Sequence, residues 1–212
     1  VRWHPETTRR VLIGCHYDTR PYADQEPVFR NRRGVFVGAN DGGSGVAFLM
    51  ELGRTIPSMN LKVGVDFVFF DAEEYILENN RDRYFLGSEH FVDQYTSRKP
   101  PFRYEAVVVV DMIGDKDLTL HPDQRSAARA GRLVREIWGI AQRLGVRQFD
   151  PEPKHDVLDD HIAFLNAGIP AVDLIDFDYP HWHRLTDTPD RCSGESLAAV
   201  ATVLSAWLEQ LR

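Results

Sequence analysis

The chain has 212 residues, with 25 Lys+Arg against 32 Asp+Glu and a formal net charge of −7. That length fits one large domain better than two, and a hydrophobic share of 43% excludes a disordered chain. The acidic balance argues against a general nucleic-acid binder, no apolar run approaches the roughly 20 residues that span a bilayer, and Cys15 and Cys192 make neither a disulfide framework nor a zinc-finger spacing.

The sequence opens Val1-Arg2-Trp3-His4-Pro5, without an initiator Met, so it does not report on a targeting segment. Residues 11–15 read as a buried strand. Residues 46–56, opened by a glycine-rich turn, carry Val46, Leu49, Met50 and Gly53 on one helical face. Residues 63–70 are β-branched and aromatic and predict a strand; residues 87–95 predict a short helix. The four valines Val107–Val110 suit a central strand covered on both faces. Residues 127–144 show helical spacing through Leu133, Val134, Ile137, Trp138, Ala141 and Leu144. A helix over 159–166, closed by Gly168 and Pro170, precedes a strand at 171–175. Leu197, Val200, Ala201, Leu204, Leu208 and Leu211 stripe the last helix. Strands alternating with helices predict one α/β domain over 1–212, a three-layer sandwich whose mostly parallel, mixed sheet is flanked by helices.

Four of these strands run into acids or histidines at their C-terminal ends, where α/β sheets place their ligand crevice. The first ends in His16-Tyr17-Asp18, the second in Asp71-Ala72-Glu73-Glu74 and the third in Asp111; the fourth leads through a short loop to His181-Trp182-His183. His16 and Asp18 share a strand face, as a structural pair or as a metal ligand and the carboxylate that fixes its tautomer. Glu73 and Glu74 point apart, so one can ligate a metal while the other faces substrate as a base. Asp111, at the end of a buried strand, needs a partner. The turn Asn40-Asp41-Gly42-Gly43-Ser44-Gly45 has neither a phosphate-loop ending nor a nucleophile-elbow setting. Carboxylates and imidazoles without thiolates suit catalytic zinc. A Cys15–His16 thiol site is disfavoured, because strand neighbours point to opposite faces.

Taken in order, His16-Tyr17-Asp18, Gly38-Ala39-Asn40-Asp41, Asp71-Ala72-Glu73-Glu74, Asp111-Met112-Ile113-Gly114, Asp159-Asp160-His161 and Trp182-His183 resemble the zinc aminopeptidase family that includes bacterial leucyl aminopeptidases and the glutaminyl-peptide cyclotransferases. The resemblance runs from residue 10 to about residue 208. It implies that Asp41, Glu74 and His183 hold a first zinc and that His16 and Asp111, with Asp41 bridging, match a second site. It further implies Glu73 as general acid/base, Asp18 as support for His16, and a cis peptide after Asp41. Related enzymes also carry further structure ahead of the first matched strand.

Val35-Phe36-Val37-Gly38-Ala39, the long insertion at 75–86, Asp159-Asp160-His161-Ile162 and Trp182 resemble the cyclase branch. Asn79, where the animal cyclases carry tryptophan, resembles it less, as do the unpartnered Cys15, the Gly42-Gly43-Ser44-Gly45 wording and a segment before His183 one residue shorter. The branch favoured by this resemblance is the cyclase: conversion of N-terminal glutamine to pyroglutamate with release of ammonia, on one zinc, with Glu73, Asp160 and Asp111 as catalytic groups and Trp182 against the glutamine stem. The alternative is an aminopeptidase with two zincs. A non-catalytic receptor-like domain is opposed by the intact array. Peptide or protein N-termini are the expected partners, with rim loops 21–33 and 75–84 setting substrate choice. Oligomeric state stays open, and the compartment leans to secreted or periplasmic.

Overall fold

β-branched and aromatic side chains on both faces make strands that are stable only between two helical layers. The computed structural model describes residues 1–78 and 81–211, so Asn79 lies outside the described residues. Its five strands are β1 (Arg2–Trp3), β2 (Arg9–His16), β3 (Gly64–Phe70), β4 (Arg103–Asp111) and β5 (Ala171–Ile175), in the order β1-β3-β2-β4-β5. β2 pairs in parallel with β3 and β4, and β4 pairs in parallel with β5; β1 alone is antiparallel, on β3.

Among the described residues six α-helices flank the sheet: α1 (Gly43–Thr55), α2 (Leu86–Arg98), α3 (Gln124–Arg129), α4 (Gly131–Leu144), α5 (His161–Asn166) and α6 (Gly194–Gln210). α6 packs against α1 and α4, while α2 packs against α5, leaving the sheet between the two groups. The valines of β4 are buried in one continuous core with Ile13, Phe48, Phe164 and Trp207. No helix among the described residues is long and apolar enough to cross a membrane.

Some boundaries differ from the sequence expectation. The helix expected over 127–144 is two, because Ala130 leaves helical geometry (φ −129°, ψ 32°) between α3, capped by Asp123, and α4. α5 begins at His161, after Asp159 and Asp160. The two-residue β1 carries too little periodicity to be read from sequence. The cis peptide expected after Asp41 is absent, and no described peptide bond is cis. Strain takes another form: Ala72, Met112 and His183 hold φ of 54°, 47° and 53°. Each lies in or beside a strand-end motif, where strained backbone tends to gather.

Candidate active site

The parallel strands all deliver their C-terminal ends to one edge, and the loops leaving them bring the acids and histidines together. His16, the last residue of β2, is 2% exposed, and its Nε2 lies 3.1 Å from Asp111 Oδ1 at the end of β4 and 3.3 Å from Asp41 Oδ1. The other oxygen of Asp41 lies 3.5 Å from His183 Nε2, which is 2.7 Å from Glu74 Oε2. Asp41 therefore stands between the two histidines. His16, Asp41 and Asp111 form one group, and Asp41, Glu74 and His183 another; in each, one ligand atom per residue lies within 4.8 Å of the others. Glu73 joins His16 and Glu74 in a third such group.

Local structure explains the convergence. Asp187 accepts the backbone N–H groups of Asn40 (2.9 Å) and Asp41 (3.1 Å), and Tyr179 Oη donates to the same carboxylate at 2.8 Å. The chain then turns into α1 through Gly42 at φ +82°, where a Cβ would meet Asp18 O at 2.8 Å and His16 Cε1 at 3.2 Å. Gly45 brings α1 onto the sheet: a Cβ there would lie 2.7 Å from Cys15 Cβ. Asp18 accepts from the backbone of Glu73 (3.0 Å) and Glu74 (3.1 Å). It is 3.7 Å from His16 Nδ1, so its hydrogen bonds hold the glutamate loop more than the imidazole. Beside the glutamate pair, Ile76 N donates to Glu74 O at 2.7 Å and Phe85 N to Glu73 O at 2.9 Å. Trp182 stacks on His183 with ring centroids 4.1 Å apart, over a small cluster of Met112, Val157, Ile175 and Tyr179.

Burial, followed by the neighbouring charges, shifts the proton affinities of these groups. Burial, followed by the neighbouring Asp41, pushes Glu74 up to about 7. Burial raises Glu73 well above the carboxylate range. Burial also raises Asp111, with His16 working against it. His183 rises to about 9 despite its burial, through Asp24, Glu74 and Asp41. Cys15 is pushed up to about 12 by burial, which removes the thiolate a thiol mechanism needs.

Asp41 Oδ2, His16 Nδ1 and His183 Nδ1 are buried without a hydrogen-bond partner. Acceptor-only carboxylates set against imidazole nitrogens in this way are costly to bury alone. Oxygen and nitrogen donors with no thiolate fit a divalent cation such as zinc. A surface groove of about 1100 Å³ lies at the opposite end of the strands, lined by Arg9, Arg103, Tyr104 and Trp207 among others. None of the clustered donor groups among the described residues lies there, so size alone does not locate the chemistry.

The family model described as peptidase family M28 matches residues 1–208. The chain belongs to peptidase family M28. This M28 chain is glutaminyl cyclase-like in sequence and fold. It is 44% identical, with a TM-score of 0.97, to a glutaminyl cyclase structure from Fimbriiglobus ruber, covering 100% of this chain and 74% of that one. It is 29% identical, with a TM-score of 0.91, to a Zn-dependent exopeptidase structure from Parabacteroides distasonis, over 99% of this chain and 76% of that one. A glutaminyl-peptide cyclotransferase-like protein of Mus musculus is 26% identical over 229 residues, covering 97% of this chain. The M28 chain spans only 58% of the length of that mouse protein.

All the site residues expected from sequence lie at this edge except that Asp160 is enclosed: it is 0% exposed, neither carboxylate oxygen has a hydrogen-bond partner, and Asp159 lies beside it. Asp111 bonds His16, with no hydrogen bond to Asp160 among the described residues. Sequence reading missed Asp187, Asp24 and Arg20. Asp24 Oδ1 lies 2.8 Å from His183 Nδ1, and the Arg20 backbone N–H donates to Glu74 Oε1 at 2.9 Å.

Proposed function

We propose that the protein converts an N-terminal glutamine of peptides to pyroglutamate with release of ammonia, on one zinc held by Asp41, Glu74 and His183. The observation that carries this reading is the 44% identity to the Fimbriiglobus ruber glutaminyl cyclase over the whole chain.

When bound, zinc supplies Lewis-acid polarisation of a carbonyl oxygen. Glu73 takes the proton that the substrate α-amine loses as its nitrogen bonds to the side-chain amide carbon. The bond from that carbon to the amide nitrogen then breaks, and Glu73 returns the proton to the departing ammonia. A carboxyl whose burial raises its proton affinity suits this double duty. Trp182, half-buried against His183, forms a wall for the glutamine stem. Asp111 acts on His16 at 3.1 Å, and Asp160, enclosed beside Asp159, acts through Glu73, whose proton affinity both carboxylates raise. Amine and amide belong to one residue, so holding them together replaces an external nucleophile.

One observation favours a second reading. His16, Asp41 and Asp111 form a further donor group that shares Asp41 with the first. Two zincs there would make the site that of an aminopeptidase, with Glu73 deprotonating water. Gln-peptides and Leu-peptides offered to the same zinc-supplemented sample separate the two. Ammonia release without chain shortening is the expected result; a freed amino acid would replace the cyclase reading with the aminopeptidase.

A further inference from the structure

A histidine that ligates a metal through one ring nitrogen needs a partner at the other to fix its orientation. His183 has one on a loop that no motif marked. Asp24 Oδ1 lies 2.8 Å from His183 Nδ1, at ion-pair distance without in-line hydrogen-bond geometry, and neither atom has a hydrogen-bond partner elsewhere. The second oxygen of Asp24 accepts from Arg20 Nη2 at 2.7 Å.

Arg20 is 5% exposed and reaches further. Its backbone N–H donates to Glu74 Oε1 at 2.9 Å, and its Nη1 donates to Glu74 O and to Tyr84 Oη, each at 3.2 Å. The guanidinium also lies over the Tyr84 ring, 5.4 Å from its centroid. Gln25 N donates to His183 O at 3.1 Å. The segment from Arg20 to Gln25 thus touches Glu74 and His183 through side chain and backbone alike. Through Tyr84 it also touches loop 75–86. A planar fork with several fixed donors makes these contacts together; a lysine point charge cannot.

We propose that Asp24 and Arg20 are positioning residues that set the metal affinity of the Glu74–His183 pair and couple it to both rim loops. This rests on the reading of Asp41, Glu74 and His183 as zinc ligands. Asp24 orients the imidazole, and Arg20 holds Asp24 and the Glu74 carboxylate in register. Asp24 in segment 21–33 and Tyr84 in segment 75–84, the two segments expected to form the rim, are thereby tied to the metal ligands.

The test measures zinc affinity by competition with a chromophoric chelator, and zinc loss to excess chelator, for wild type, Asp24→Ala, Asp24→Asn, Arg20→Gln and Arg20→Lys. Asp24→Ala is expected to weaken zinc by about 10–100-fold, the range for removing such a supporting group. Arg20→Gln and Arg20→Lys should weaken it less but in the same direction. The double variant Asp24→Ala/Arg20→Gln should lose less than the product of the single losses, because the two act along one chain of contacts. Asp24→Asn keeps the shape and serves if the alanine variant does not fold. A purely structural role would lower the melting temperature of the metal-free variants and leave zinc affinity within about twofold of wild type, which would overturn the inference while leaving the ligand assignment standing. Wild type that takes up no zinc would overturn the ligand assignment and the inference with it.

Discussion

At the N-terminal ends of β2, β3 and β4, Arg10, Asp66 and Tyr104 are buried together. Asp66 accepts from Arg10 Nη2 at 2.6 Å, from Arg2 Nε and Nη2 at 3.1 Å each, and from Tyr104 Oη at 2.5 Å. Arg10 also donates to Trp3 O at 2.7 Å and His4 O at 2.6 Å. At the other ends of the same strands, Asp41, Glu74 and Asp111 crowd between His16 and His183, and buried atoms there stay unpartnered. Both clusters are buried and charged. The first is closed on itself and acts as structure; the second leaves Asp41 Oδ2, His16 Nδ1 and His183 Nδ1 buried without hydrogen-bond partners. Buried charge is thus a weak sign of function, and buried charge without compensation is a strong one.

The sharpest way to break this contrast is Glu73→Gln. Turnover should fall by about 10²–10⁴-fold, the range for losing a general base, with zinc content unchanged. Full activity in a variant that retains zinc would remove Glu73 from the chemistry. At the opposite end, Asp66→Ala leaves Arg10 buried without its carboxylate and should cost about 3–5 kcal/mol in urea unfolding, with zinc affinity unmoved. Asp41→Asn should do the reverse. It should abolish zinc binding yet leave the metal-free protein as stable as wild type or more so, because Asp41 is a repulsive neighbour of Glu74.

The sequence made the second cluster readable and hid the first. His16 and Asp111 follow apolar runs directly, and Glu74 stands four residues beyond Phe70, so strand polarity sends all three to one edge. Arg10 and Asp66 are 56 residues apart, and only the register of β2 on β3 makes them partners. Asp24, Arg20 and Asp187 lie in loops, whose paths no hydrophobic period encodes. Asp160 was legible as a motif, but its enclosure depends on how α5 packs. The break at Ala130 escaped because the apolar stripe continues through it.

A smaller effect separates the two ends by pH. Asp66 is desolvated, but its bonds from Arg10, Tyr104 and Arg2 hold it below the carboxylate range. The stability it contributes is present above that range and is lost as pH falls through its lowered value. Glu74, raised to about 7 in the metal-free protein, works the other way: its contribution is present below the ordinary carboxylate range and is lost as pH rises through about 7. His183, raised to about 9, also holds a proton at neutral pH. Zinc uptake near neutral pH should therefore release protons and tighten as pH rises, as calorimetry in buffers of different ionisation enthalpy would read. Uptake with no proton release would contradict the ligand set. The smallest expected change is Trp182→Leu, which should raise KM several-fold with kcat nearly unchanged; an equal loss in kcat would mean that the ring holds His183 rather than substrate.

The central claim is most directly tested by following ammonia and peptide mass while the metal-free protein is titrated with zinc in the presence of an N-terminal glutamine peptide. The prediction is ammonia release without shortening of the chain, reaching its plateau at one zinc per protein. No ammonia at any zinc level, or free glutamine appearing only as a second zinc binds, would contradict it.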